Sequence, residues 1–304
     1  MKNKIIPFNS LILFFLVLMV VSFSRKTKTA LVTNGDPSSY KIHALHVPSI
    51  VYFAGEEIPL DEADLIERMD KELLVNTYWQ SNTLLMIKKA NKYFPIIERI
   101  LAEEGVPDDF KYLALIESGL ENLSSPKGAK GFWQIMRTTG KEYGLEINSN
   151  VDERYHIELS TRVAAQYLKK AKNSLGSWTL AAASYNRGIT GIRKELNRQQ
   201  ADRYTDLLLG TETKRYLFRI LAVKEIITHP QRFGFFVEKA QKYPPITYRT
   251  VAVDTPITNI ARFSKHLGVN YKTMKIYNPW LLQNHLNNKS RKLYQIALPA
   301  KESP

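Results

Sequence analysis

Glu117 closes the run Tyr112-Leu113-Ala114-Leu115-Ile116. Burying a carboxylate in such company costs free energy and raises its pKa, so the group holds a proton near neutrality. Lifting a glutamate to roughly 6–7, the range useful to a general acid, costs about 3 kcal/mol. The pattern leaves a second reading open, in which Glu117 is solvated at the helix edge and inert. Glu121 lies four residues on, a spacing that would put both acids on one helix face and permit a two-carboxylate glycosidase. Gly119 stands between them and should end the helix, which makes Glu121 a surface or turn residue. Next comes Gly128-Ala129-Lys130-Gly131-Phe132-Trp133-Gln134-Ile135. Two glycines three apart permit close backbone approach, and a Trp-Gln pair offers the apolar face and the amide that grip a sugar ring. A tryptophan buried behind a glycine turn would give the same pattern. The segment has neither Gly-Lys-Ser/Thr nor GxGxxG, so it is not a phosphate cradle. Ala183-Ser184-Tyr185-Asn186-Arg187-Gly188 ends a small-residue stretch, and in isolation it reads as a helix stop.

The elements that must position these residues are mostly helical. Asp61 is the expected N-cap of a helix with Leu65, Met69 and Leu73 at four-residue spacing. A second helix is expected from Ser81 to Tyr93, with Pro95 breaking or kinking it. Ile96, Ile97, Ile100 and Leu101 continue a helix that Gly105 should stop. Pro107-Asp108-Asp109 starts the helix that carries Glu117, with proline and acids in its first turn. Further helices are expected over Ser160–Asn173, Trp178–Tyr185 and Thr211–Thr228. Pro244-Pro245 marks the domain boundary. Beyond it Val251 and Val253 alternate as in a strand, two short helices follow over Thr258–Leu267 and Tyr271–Tyr277, and Tyr294, Ile296 and Leu298 alternate again. Trp79, Trp178 and Phe94 are expected in the core.

Taken together, Glu117-Ser118, the Gly-x-x-Gly-Phe-Trp-Gln segment and Ser184-Tyr185-Asn186-x-Gly, in this order, resemble the lytic transglycosylases of the soluble-lytic-transglycosylase (lysozyme-like) family. The resemblance covers residues 52 to 235. It is closest over GVPDDFKYLALIESGLENLSSPKGAKGFWQIMRTTGKEYGL and continues through DERYHIELSTRVAAQYLK and TETKRYLFRILAVKEII. Two departures stand out. His156 replaces the family's usual aspartate, and Ser184 its common alanine. The resemblance implies a mainly α fold: a lysozyme-like catalytic domain with a helical lead-in. It also implies cleavage of the bond between N-acetylmuramic acid and N-acetylglucosamine in peptidoglycan, with closure of a 1,6-anhydro ring and no second carboxylate. Carried over by position, Glu117 is the acid and base, and Ser118 contacts the substrate or the carboxylate. Gln134, Tyr185 and Asn186 line the sugar sites, and Tyr216 orients Glu117 by a hydrogen bond. The tail resembles a divergent lysin-motif (LysM) module of βααβ form, on YRTVAVDTPITNIARFSKHLGVNYKTMKIYNPWL and LYQIALP; Asp254-Thr255-Pro256 stands where Gly-Asp-Thr is usual.

The expected organisation is a signal peptide or anchor at 1–24, a polar lead-in at 25–48, a helical lead-in at 49–95, the catalytic domain at 96–240 and the LysM-like module at 246–300. Lys2 and Lys4 precede an apolar run from Leu11 to Val21, and Ser22-Phe23-Ser24 follows. This reads as an export signal, short for a span that needs about 20 residues. The basic Arg25, Lys26 and Lys28 keep an uncleaved, membrane-associated anchor as the alternative. The 304 residues carry a formal charge of +14, which suits a polyanionic partner. Export points that charge at the cell envelope, the periplasm included, and away from nucleic acid. The tail from residue 246 holds nine Lys/Arg against two acids, which suits envelope anions or is simply a solvated basic face. There is no cysteine, so disulfides, thiolate catalysis and Cys-ligated metals are excluded. The six histidines are scattered with no ligand spacing, and neither metal nor cofactor is expected. Two rivals to transglycosylation remain: a muramidase using Glu117 with water, and a non-catalytic wall-binding scaffold.

Overall fold

The structure is a computed structural model that describes residues 42–300. The signal or anchor expected at 1–24, and the polar lead-in as far as residue 41, lie outside the described residues. Among the described residues no helix is long and apolar enough to cross a membrane.

The described part opens on a hairpin that the helical reading of 49–95 passed over. Strands β1 (Ile50–Phe53) and β2 (Glu56–Pro59) pair antiparallel, Phe53 opposite Glu56. Both turn residues, Ala54 and Gly55, have positive φ, the turn whose twist suits two adjoining strands. Val51, Phe53 and Ile58 are buried. The hairpin serves helix ends elsewhere: the Ala54 N–H donates to Asp109 Oδ2 at 2.7 Å, and Glu56 Oε2 accepts from the Thr179 N–H at 2.9 Å.

Helix α1 (Ala63–Tyr78) buries the predicted Leu65, Met69 and Leu73, although Glu62, not Asp61, is its N-cap. Helix α2 runs unbroken from Gln80 to Glu103 with Pro95 inside it. Of the break or kink expected at Pro95, no break occurs. Phe94, Ile96, Ile97, Ile100 and Leu101 are all buried around the proline, each contributing about 1.5–3 kcal/mol, against roughly 3 kcal/mol for the prolyl defect. One turn earlier the Lys92 carbonyl accepts the Ile246 N–H at 3.2 Å, so a neighbouring segment serves the helix near the defect. Trp79, expected in the core, is 61% exposed at the non-helical joint between α1 and α2. Trp178 is half-buried and Phe94 is buried.

A short 3-10 turn, Asp108–Phe110, leads into α3 (Lys111–Ser118). Three helices missing from or longer than the sequence reading follow: α4 (Arg137–Glu142), α5 (Ile157–Leu175) and α6 (Trp178–Arg187). Gly188 then admits α7 (Ile189–Gln199), which the sequence reading left out. Helix α8 has the expected bounds, Thr211–Thr228. It packs along α1, α3 and α6, and Leu217, Phe218, Ile220 and Ala222 on it are fully buried. The buried Tyr204 hydroxyl donates to the Thr213 and Lys214 carbonyls, each at 2.8 Å, and ties the preceding loop to α8. One apolar core joins β1, β2 and α1 to α8, so residues 49–95 and 96–240 share their packing.

The tail has the expected βααβ order: β3 (Tyr248–Val253), α9 (Ile260–His266), α10 (Tyr271–Tyr277) and β4 (Tyr294–Pro299). The strands pair antiparallel, Val251 opposite Ile296. Asn259 and Asn270 cap the two helices, accepting from the Arg262 N–H at 2.9 Å and the Thr273 N–H at 2.8 Å. Asn278 is fully buried. Its amide donates to the Met274 carbonyl (3.0 Å) and the Ala297 carbonyl (2.7 Å) and accepts the Ala297 N–H at 2.8 Å. Asn278→Ala should therefore cost about 2–3 kcal/mol, because it orphans buried groups on β4; urea unfolding would measure it, and a loss under about 0.5 kcal/mol would contradict this account.

Candidate active site

Helix α3 fixes the environment of Glu117. Tyr112 to Leu115 and Ser118 are buried, so the helix is held on most sides. Gly119 ends it in the left-handed region at φ 60°, its N–H reaching the Leu115 carbonyl at 2.8 Å. Glu117 thus stands on the last turn and is half-buried. Burial raises its carboxyl above the ordinary glutamate range; the Tyr216 hydrogen bond and the Arg219 charge oppose this, and Glu212 adds to it.

The Tyr216 hydroxyl donates to Glu117 Oε1. Tyr216 is 2% exposed, and its own pKa is pushed well up by burial and by the Glu117 charge. A phenol so placed stays protonated and remains a donor. Thr213, one turn earlier on α8, donates to Asn186 Oδ1 at 2.8 Å. Arg219, one turn later, donates to the Ile116 carbonyl at 3.2 Å. The i, i+3 series 213, 216, 219 therefore brings one face of α8 against α3 and the end of α6. Thr213 and Arg219 were missed in the sequence reading; their spacing from Tyr216 was the available signal.

The glycine segment forms the next wall. Lys130 and Ile135 exchange backbone hydrogen bonds, N–H to carbonyl, at 3.1 and 3.0 Å. Gln134 has φ 44° and its amide donates to the Gly131 carbonyl at 2.8 Å, so part of its polar capacity holds its own loop. Trp133 is fully buried, its indole N–H donating to Thr161 Oγ1 at 2.8 Å. It is a core residue and offers no face to a sugar. Ser118 is also buried, and its hydroxyl donates to the Phe132 carbonyl at 2.9 Å. It ties α3 to the glycine loop and makes no hydrogen bond to Glu117.

Tyr185, near the end of α6, donates to the Trp133 carbonyl at 2.8 Å. Burial pushes its phenol well above the ordinary value and the Glu117 charge adds to the effect. Asn186 beside it is exposed. Glu117, Tyr216, Tyr185 and Asn186 are thus linked through α8 and α6, with Gln134 on the loop that Tyr185 grips. Glu121 is elsewhere, paired with Lys89 and half-exposed. A separate cavity, lined by Tyr93, Phe132, Tyr155, His156 and Trp280 among others, includes none of the six predicted site residues.

Residues 94–207 match the Transglycosylase SLT domain, and residues 249–302 match the Soluble lytic transglycosylase C-terminal LysM-like domain. Over 234 residues the chain is 26% identical to Membrane-bound lytic murein transglycosylase D of Escherichia coli (strain K12), covering 74% of this chain and 50% of that protein. The same figures hold for the protein of that name in Escherichia coli O6:H1. The chain therefore spans about half the length of the curated relatives it matches. Among solved structures, the 70 kDa soluble lytic transglycosylase of Escherichia coli aligns with a TM-score of 0.42 and 16% identity, over 60% of this chain and 33% of that one.

Proposed function

We propose, for a chain that carries a transglycosylase SLT domain followed by a LysM-like C-terminal domain, that it is a peptidoglycan lytic transglycosylase. Residues 96–240, with 49–95 packed on them, are the catalytic unit, and 246–300 are the module. The reading rests above all on the half-buried Glu117, whose pKa is raised and whose carboxylate takes the Tyr216 hydroxyl. Protonated, Glu117 gives its proton to the oxygen between N-acetylmuramic acid and N-acetylglucosamine, and the bond from that oxygen to the muramyl C1 breaks. The resulting carboxylate takes the proton of the muramyl 6-hydroxyl, whose oxygen bonds to C1. Atoms balance without water, and the same carboxyl ends protonated. The tethered hydroxyl outcompetes water because its effective concentration is far higher.

Tyr216 orients the carboxyl, and Tyr185, Asn186 and Gln134 contact the sugars. Ser118 serves by fixing α3 to the glycine loop. The N-terminal segment directs export to the cell envelope, cleaved or retained as an anchor, and the basic module meets the anionic wall polymer. The test is digestion of purified sacculi with mass analysis of the products. Anhydro-muropeptides are expected. Products heavier by one water per cut would make the protein a muramidase, and binding without release would make it a scaffold.

Tyr216→Phe separates orientation from acidity. Loss of the hydroxyl removes a bond that lowers the Glu117 pKa. The alkaline limb of the rate profile should therefore move to higher pH, while kcat at the optimum falls about 10-fold to 100-fold. A limb that moves to lower pH would contradict the assigned sign.

A further inference from the structure

Besides the Tyr248 hydroxyl on Glu158 and the Ile246 N–H on the Lys92 carbonyl, the C-terminal module is bonded along a seam to the segment 146–154. The Asp152 N–H donates to the Trp280 carbonyl and the Leu282 N–H to the Asn150 carbonyl, both at 2.9 Å. The Asn150 side chain donates to the His285 carbonyl at 2.9 Å and accepts the Asn287 N–H at 2.8 Å. Gln283 donates to the Ser149 carbonyl at 2.9 Å. Lys292 Nζ meets Glu146 at 2.8 Å and Glu153 at 2.7 Å. The Val151 side chain packs in the module's apolar core with Trp280 and Leu281.

The other side of this segment holds the glycine loop. Arg154 and Asp152 are each 2% exposed. The guanidinium grips Asp152 Oδ1 at 2.9 Å and Oδ2 at 2.8 Å. Its Nη1 donates to the Gly128 carbonyl at 2.9 Å and the Ile135 carbonyl at 3.2 Å, the two ends of the loop. Burial would raise the Asp152 carboxyl, but the hydrogen bonds and charge of Arg154 outweigh it and hold it below the usual range. Lys130 adds a contact to Asp152 at 3.4 Å. Between those ends sit the Trp133 carbonyl that takes the Tyr185 hydroxyl and the Phe132 carbonyl that takes Ser118.

We propose that the module acts on the reaction as a clamp: docked on residues 146–154, it sets Asp152 and Arg154, and these hold the Gly128–Ile135 loop in the shape that positions Tyr185 and the end of α3. Asp152 and Arg154 are then positioning residues for Glu117. A basic module fused to a catalytic unit needs only a tether if its task is to hold the wall. Here an asparagine with two side-chain bonds across the seam and a shared apolar core make the connection stiff, and the segment that receives it ends on a guanidinium spent on the loop.

The test uses the full chain. A triple variant, Asn150→Ala with Gln283→Ala and Lys292→Ala, removes side-chain bonds across the seam and touches no residue of the loop. Amide exchange at Asp152 and Leu282 reports the seam, and at Lys130, Gly131, Gln134 and Ile135 the loop. Opening of the seam is expected to speed loop exchange at least about tenfold, with α8 amides unchanged. On a soluble glycan kcat should fall about tenfold, with KM within about twofold. A seam that opens while the loop amides and kcat keep wild-type values overturns the proposal. Arg154→Lys cuts the second link, since a lysine pairs with Asp152 but lacks the fork. It should loosen the loop with the seam closed; unchanged loop exchange there also overturns the clamp. The turnover measurement rests on the proposed activity and the exchange measurement does not, so a wild type that cleaves no glycan would refute the former alone.

Discussion

Glu117→Gln is expected to slow release of muropeptides from sacculi by at least about 10³-fold while leaving binding to them intact. The amide matches the carboxyl in size and still accepts the Tyr216 hydroxyl, so geometry is preserved and only the exchangeable proton is lost. That proton is used twice in the proposed reaction, first given to the leaving oxygen and then recovered from the 6-hydroxyl. A loss of one transfer costs roughly 10² to 10⁴ in rate, and here no second carboxyl takes over, since Glu121 is bound to Lys89 on the surface. Equal release by wild type and variant would end the enzyme reading. The variant also has a stability signature. Burial raises the Glu117 pKa, so the folded state holds the proton more tightly than the unfolded chain. The stability this gives is complete below the ordinary glutamate value and is lost as pH rises through the raised one. Glu117→Gln cannot ionise and escapes that loss. It should melt at or above wild type at pH 8, with the gap closing near pH 4, and a variant that melts lower at pH 8 would contradict the raised pKa.

Gly131→Ala should be the most damaging change of one methyl group in the glycine loop. Gly131 has φ +78°, and an added Cβ would lie 2.0 Å from the Arg154 carbonyl oxygen and 2.9 Å from its carbon. Those are backbone atoms of a buried, hydrogen-bonded segment and cannot turn aside as a side chain can. The overlap forces the loop away from residue 154, at a cost of about 3–5 kcal/mol including the left-handed backbone penalty. Gly128→Ala is the matched control. Its φ is +84° but a Cβ there meets nothing within 4 Å, so only the backbone term, about 1–2 kcal/mol, applies. Urea unfolding of the two variants gives the comparison. Equal losses would mean that the close approach to Arg154 does not hold the loop. Glycan turnover should fall with Gly131→Ala even where the chain stays folded, because the Trp133 and Phe132 carbonyls move with the loop.

Much of the scaffold was legible in the sequence. The four-residue spacing of Leu65, Met69 and Leu73 set the face of α1, and α8 and α10 have their predicted bounds. The alternation of Val251 and Val253 with Tyr294, Ile296 and Leu298 gave the strands of the tail. The errors share a cause. Pro95 was read by its local cost, yet burial on both sides of it carries the helix through. Trp79 has the type of a core residue yet lies exposed, whereas of the two places open to Trp133, facing a sugar or buried behind the glycine turn, the fold takes the buried one. The hairpin at 50–59 has four-residue strands, too short for a period to stand out, and its fold depends on Asp109 and the start of α6.

By itself the sequence singled out the candidate residues, the mainly helical architecture and the change of grammar after residue 245, because motif order and hydrophobic period are written along the chain. Only the tertiary structure decided what surrounds Glu117. Its partner Tyr216 is 99 residues away, the loop beside it is held through Arg154, and that arginine lies in a segment bonded to a module more than a hundred residues further on. Hydrogen bonds and desolvation act over a few ångströms of space, whatever the separation along the chain. The proton affinity of one carboxyl is therefore set by the fold, although the carboxyl itself is named by the sequence.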